Sequence, residues 1–177
     1  MTKNLDNEGL QSIAENYDLF YIDLWGVIHN GIQLHKDAIF TLKNLLKINK
    51  DFVLLTNAPR PIKPVKKFLD KMGMEKEFRD KVFTSGEAAL NYLKKFYSSK
   101  IFYHIGPPRD FDLFNDFKNN KSQDINKSQY FLCTGLFDDY VKDLNYYKDL
   151  LEAHIDKKMI CTNPDLIVDK GNKRELC

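Results

Sequence analysis

From residue 18 onward, short apolar runs alternate with stretches in which apolar positions recur every three or four residues, the pattern of an α/β protein built around a largely parallel sheet. DLFYIDLW is the first predicted strand. A Gly-containing loop, GVIHNG, follows it, and a helix over 36–49 carries Ala38, Ile39, Leu42, Leu45 and Leu46 on one face. DFVLLTNAPRP reads as a second strand ending at Thr56 and Asn57 and stopped by Pro59 and Pro61. Strand, helix and strand joined by short loops make a right-handed βαβ unit.

The same alternation continues downstream. A helix over 62–72 carries Ile62, Val65, Phe68, Leu69 and Met72 on one face, leaving its lysines to water. KVFTS gives a third strand, and a helix over 86–97 aligns Ala89, Tyr92, Leu93 and Phe96. IFYHIG, a helix over 109–117, YFLCTGL, a helix over 139–155 and the strand MICTNPDLIV complete the pattern. NNKSQDINKSQ is polar and low in complexity, which predicts a surface loop that buries nothing. There is no internal repeat.

At 177 residues the chain is one domain or two small ones, and 43% apolar residues, with 13 Phe and 9 Tyr, supply enough material for a core. The charge balance, 27 − 25 = +2, is nearly neutral, and 23 of the 27 basic residues are Lys, not the Arg favoured for bidentate phosphate contacts. A dedicated nucleic-acid binder is therefore not expected. No apolar run approaches the roughly 20 residues of a membrane span. MTKNLDNEGLQSIAENYD lacks the basic start and apolar stretch of a secretory signal, so a cytoplasmic location is expected. Cys133, Cys161 and Cys177 are odd in number and too far apart for a C-x-x-C pair, arguing against a disulfide framework; they are expected to be small buried hydrophobes, Cys177 excepted.

Asp23 is the sharpest candidate, because ligands of open α/β sheets bind beyond the carboxyl ends of strands. Thr56 ends the next strand in the same way. On neighbouring strands, a carboxylate and a hydroxyl would converge on one pocket, with Gly26 letting backbone amides approach an anion, an arrangement suited to phosphoryl transfer. Taken locally, Asp23 could equally cap a loop, and Thr56-Asn57 could be a turn before Pro59.

YIDLWGVIHNG, VLLTNAPRP and MICTNPD, in this order and with about a hundred residues between Asn57 and Asn163, together resemble the haloacid dehalogenase (HAD) superfamily, in its type IIA, NagD-like phosphatase branch, over nearly the whole chain. The resemblance implies a HAD-like Rossmannoid parallel core with an inserted α/β cap: 1–85 as the first half of the core, 86–160 as the cap and 161–177 as a return segment. It makes Asp23 the nucleophile toward a small phosphorylated metabolite. It places phosphate on Gly26, Thr56 and Asn57. Arg60 is a candidate either to meet an anionic substrate or to stack on a neighbour, and Asn163 and Asp165 are candidates either to shape the hinge by which the cap returns or to touch substrate. The resemblance also implies Mg2+ on the Asp23 carboxylate and the Trp25 backbone carbonyl.

Two departures qualify the expected activity. Trp25 stands where most family phosphatases carry a general-acid Asp, and losing such an acid costs about 10²- to 10⁴-fold; D-x-W-G is read as a branch of type IIA. The third-motif Lys and the late Gly-Asp metal ligands are also absent: Lys170, Lys173 and Asp169 all lack the strand context the family requires. The core is thus expected to be incomplete, its sheet face or edge open to a complementing C-terminal core chain or to self-association, and the chain inactive alone. The alternatives are a non-catalytic remnant that binds phosphate or a partner, and a ligand-free α/β scaffold.

Overall fold

The computed structural model describes residues 5, 8–165, 167–170 and 173–176. A one-turn helix α1 (Gln11–Ala14) precedes the first sheet. That sheet holds three parallel strands, β1 (Leu19–Asp23), β2 (Asp51–Thr56) and β3 (Val82–Thr84), in the order β1-β2-β3. Helix α2 (Lys36–Lys47) makes the first crossover, and α3 (Ile62–Lys71) and the short α4 (Lys76–Arg79) make the second. Because strand side chains alternate between faces, Phe20, Ile22, Phe52, Leu54 and Val82 share one side. They pack there with Leu42, Leu45, Leu69 and Phe78.

On the opposite face lie Leu19, Tyr21, Leu55 and Phe83, all exposed, Tyr21 by 70%. Among the described residues no strand pairs with the outer edge of β1.

Helix α5 (Ser85–Phe96) leads out of β3, its first turn capped by the Thr84 hydroxyl, which accepts the Glu87 N–H at 2.9 Å. It packs Leu90 and Leu93 against a second, four-stranded parallel sheet. The strand order there is β5 (Lys121–Ser122), β4 (Phe102–Ile105), β6 (Tyr130–Cys133), β7 (Lys158–Cys161). Phe102, Leu113, Phe114 and Tyr130 fill the α5 side. Ile105 and Phe131 meet Tyr147 of α6 (Leu144–Glu152) on the other. The chain then forms an antiparallel pair, β8 (Ile167–Lys170) and β9 (Lys173–Leu176), which the sequence pattern did not predict.

Three expectations need correction. The helix predicted over 109–117 is a 3-10 run, Pro108–Asn120, broken by a non-helical Phe117. The helix predicted over 139–155 shrinks to α6, because the Asp143 carboxylate accepts the Tyr146 N–H at 3.1 Å and starts the helix at Leu144. NNKSQDINKSQ is not an idle loop: Lys121 and Ser122 form edge strand β5, a short 3-10 turn (Ile125–Lys127) follows, and Ser128 is buried. An edge strand is held by backbone ladder bonds on one side only, so polar side chains suffice for it.

Candidate active site

β1 and β2 are parallel neighbours with Asp23 opposite Leu55, so Asp23 and Thr56 stand at the same, carboxyl-terminal end of the sheet. The loop after β1 is tightly wound. The carbonyl of buried Leu24 accepts the N–H groups of Ile28 and His29 at 2.9 and 3.2 Å, and the Gly26 N–H is donated to the His29 carbonyl at 2.7 Å. Gly26 sits at φ 81°, a region that costs L-residues strain; its role is conformational, since a Cβ there would meet nothing within 4 Å.

The exposed Asp23 carboxyl is held above its ordinary range, chiefly by partial burial and additionally by the Asp165 carboxylate; the Leu24 N–H works in the opposite direction. Asp165 is clasped by Asn57, whose Nδ2 lies 3.2 Å from both carboxylate oxygens. Asn163 Oδ1 accepts the Asp165 N–H at 3.0 Å, an Asx turn that aims the return segment at the β2 tip. Thr56 Oγ1 accepts the Ala58 N–H at 3.2 Å.

Between these tips and the second sheet lies a cavity of about 520 Å³. Trp25, Thr56, Arg60 and Asn163 contribute to its walls, whereas Asp23, Gly26, Asn57 and Asp165 do not line it and are solvent-exposed. Arg60 is drawn away from the strand tip: its Nε lies 3.3 Å from a carboxylate oxygen of Asp110, a residue only 4% exposed. The Arg60 backbone is fixed from below, its carbonyl accepting the Thr84 hydroxyl at 2.6 Å.

Several wall residues escaped the sequence reading. His29, to which no motif assigns a role, is buried in the wall, its Nδ1 accepting the Gly31 N–H at 3.0 Å, with the rings of Trp25 and Phe68 edge-on at 5.0 and 5.8 Å. Burial, with His35 nearby, depresses its pKa, so the ring is neutral and carries its proton on Nε2. Asp110 and Thr134 come from segments that follow strands of the second sheet, and only the fold brings Asp110 to Arg60 and Thr134 into the same wall.

The cysteines also need correction. Cys133 is half-buried and Cys161 exposed, and the two are register partners on β6 and β7. Cys177 lies outside the described residues.

A metal site is not assembled by these groups alone. Among the described residues no cluster of three or more His, Cys, Asp or Glu could hold a metal ion. The Asp23 carboxylate and Trp25 carbonyl are two anchors against the six oxygens magnesium requires, and Asp165 is already engaged by Asn57.

The model of the haloacid dehalogenase-like hydrolases matches residues 20–118, a span running from β1 into the second sheet. The chain belongs to this family. Among solved structures, a haloacid dehalogenase-like hydrolase from Brucella suis is 28% identical, with a TM-score of 0.81, covering all of this chain and 66% of that one. A 4-nitrophenylphosphatase from Thermotoga maritima (22% identical, TM-score 0.66, 93% of this chain and 61% of that one) shares the fold. So does a glycerol phosphate phosphatase from Mycobacterium tuberculosis solved with magnesium (18%, 0.66, 93% and 49%). No curated protein matches the chain. The chain spans less than two thirds of the length of each of these three relatives. Its fold is HAD-like, an α/β architecture built on parallel sheets, and no described helix is long and apolar enough to cross a membrane.

Proposed function

We propose that this HAD-like hydrolase chain supplies the nucleophile-bearing part of the core (1–85), the type IIA cap (86–160) and the return segment (161–177) of a phosphatase acting on a small phosphorylated metabolite in the cytoplasm. The observation that carries this reading is the pairing of Asp23 and Thr56 at adjacent parallel strand tips, above a loop turned by Gly26 at φ 81°. An Asp23 oxygen forms the new bond to phosphorus as the ester P–O bond breaks; water then cleaves the acyl phosphate, regenerating the carboxylate and releasing inorganic phosphate. Thr56 and the loop amides around Gly26 and Asn57 hold the phosphoryl oxygens. Arg60 and Asn163 face the substrate from the cavity wall, and Asp165 positions Asn57.

Trp25 offers no proton to the leaving group, so esters of acidic alcohols are favoured. The family's Mg2+ would supply charge neutralisation, but the Asp23 and Trp25 oxygens do not suffice for it. Completion therefore falls to further core strands, in a longer chain, a complementing polypeptide or a second copy, docked along the edge of β1 that no described strand pairs with and the exposed face bearing Tyr21 and Phe83. A second reading, a phosphate-binding module without turnover, is favoured by the same two features, the Trp25 substitution and the sparse metal anchors.

The test combines two measurements on the 177-residue chain. Inorganic phosphate is titrated while amide NMR shifts are followed, and p-nitrophenyl phosphate hydrolysis is assayed with magnesium. Shifts confined to 23–29 and 56–58 with hydrolysis at background are expected. Robust turnover lost in Asp23→Asn would show that this chain is catalytically complete, and phosphate shifts elsewhere would remove the site.

A further inference from the structure

Cys133 and Cys161 end neighbouring parallel strands in direct register. Register partners on adjacent strands have Cα atoms about 5 Å apart, inside the range of roughly 4.4–6.8 Å that a disulfide spans. Each thiol points to a backbone carbonyl two residues further on, Cys133 to that of Gly135 at 3.7 Å and Cys161 to that of Asn163 at 3.3 Å. Slippage is blocked, because both the N–H and the hydroxyl of Thr162 donate to the Cys133 carbonyl, at 2.9 and 3.2 Å. β7 is an edge strand of its sheet and Cys161 is exposed, so a small reagent can reach the pair.

The pair also adjoins the candidate active site. Thr134 and Gly135, directly after Cys133, line the cavity, as does Asn163, two residues after Cys161. Cys161 opens the return segment through which Asp165 grips Asn57.

We propose that Cys133 and Cys161 are a reversible dithiol–disulfide site, oxidised by a low-molecular-weight disulfide of the glutathione class, which staples the edge strand and the foot of the return segment to the cap. The Cys161 thiolate attacks one sulfur of the small disulfide, forming a mixed disulfide and expelling one small thiolate. Cys133 then loses its proton to solvent and attacks Cys161 Sγ, forming the internal bond and expelling the second small thiolate. The two protein thiols lose two electrons, and the reagent gains them as two thiols. The order follows from exposure, Cys161 being exposed and Cys133 half-buried, and from the interaction of the two neighbouring thiols, which lowers the Cys161 thiol to about 6 and raises that of Cys133.

The experiment uses the full chain, oxidised glutathione, acid quenching, alkylation of remaining thiols and peptide mass spectrometry without reduction. A peptide pair joining Cys133 to Cys161, two hydrogens lighter than the dithiol and lost on adding dithiothreitol, is expected in the wild type and in Cys177→Ser. Cys133→Ser should stop at a glutathione adduct on Cys161, and Cys161→Ser should leave Cys133 open to alkylation. Wild-type protein that ends with separate adducts on both residues, or with either one joined to Cys177, would overturn the proposal.

Discussion

Gly86→Ala sets two well-understood effects against each other. Gly86 lies in the first turn of α5, where the change to Ala gains up to about 1 kcal/mol of helix propensity. A Cβ built there, however, falls 2.4 Å from the N, C and O atoms of Arg60, all rigid backbone, against an ordinary contact of 3.4–4 Å. Relief demands that the loop after β2 and the start of α5 separate by roughly 1 Å, comparable to an overpacking penalty of about 1–3 kcal/mol. The same movement stretches three bonds that join the two segments: Gly86 N–H to the Ala58 carbonyl at 3.1 Å, Ser85 hydroxyl to the same carbonyl at 3.0 Å, and Thr84 hydroxyl to the Arg60 carbonyl at 2.6 Å. Each contributes about 1 kcal/mol. The net expectation is a loss of roughly 2 kcal/mol, read as a urea midpoint lowered by about 1 M at a slope near 2 kcal/mol/M. Gly86→Ser should behave alike. A midpoint equal to or above wild type would mean that propensity wins and that the close approach of α5 to the Arg60 backbone is not a constraint of the fold.

Four further outcomes are expected. His104 is 6% exposed, bonded through Nε2 to Thr134 Oγ1 at 2.8 Å, and its pKa is pushed down to about 3, mainly by burial. Its folded value lies below the unfolded one, so its contribution to stability is complete above pH 6.5 and is lost as pH falls from there toward 3, at up to about 1.4 kcal/mol per unit; urea titrations of wild type should show this slope and His104→Gln should flatten it. Cys161 alkylation should reach half its maximal rate near pH 6, and in Cys133→Ser the midpoint should move toward the ordinary thiol value; an unchanged profile would refute the interaction between the two thiols. Asp165→Asn should lower the pKa of Asp23, followed by carboxyl 13C shifts, because it removes a neighbouring negative charge. Phe78→Ala, at a 1% exposed position against Phe52, should cost about 3–5 kcal/mol in denaturant unfolding.

How far the site was legible depended on whether its residues are joined by local geometry. Asp23 and Thr56 could be read because a buried parallel strand announces itself as an apolar run and its tip follows from where the run stops. His29 follows Asp23 by six residues, yet its wall position depends on the loop folding back under Leu24, which no periodicity encodes. Arg60 read as a substrate contact from its place after the second strand; its partner Asp110 lies 50 residues away, in the 3-10 run after β4, so the ion pair was invisible. The same holds for Cys133 and Cys161, which look isolated along the chain and become neighbours only through strand pairing.

The α/β class, the main strand–helix alternation from β1 to α5 and the carboxylate at the first strand tip were settled by the one-dimensional pattern, because period and strand length depend only on residues close in sequence. The edge strand at Lys121, the cavity walls and the diversion of Arg60 toward Asp110 were decided by contacts between segments tens of residues apart. Such contacts form only once two sheets have packed, and their energies depend on distances that spacing along a chain does not specify.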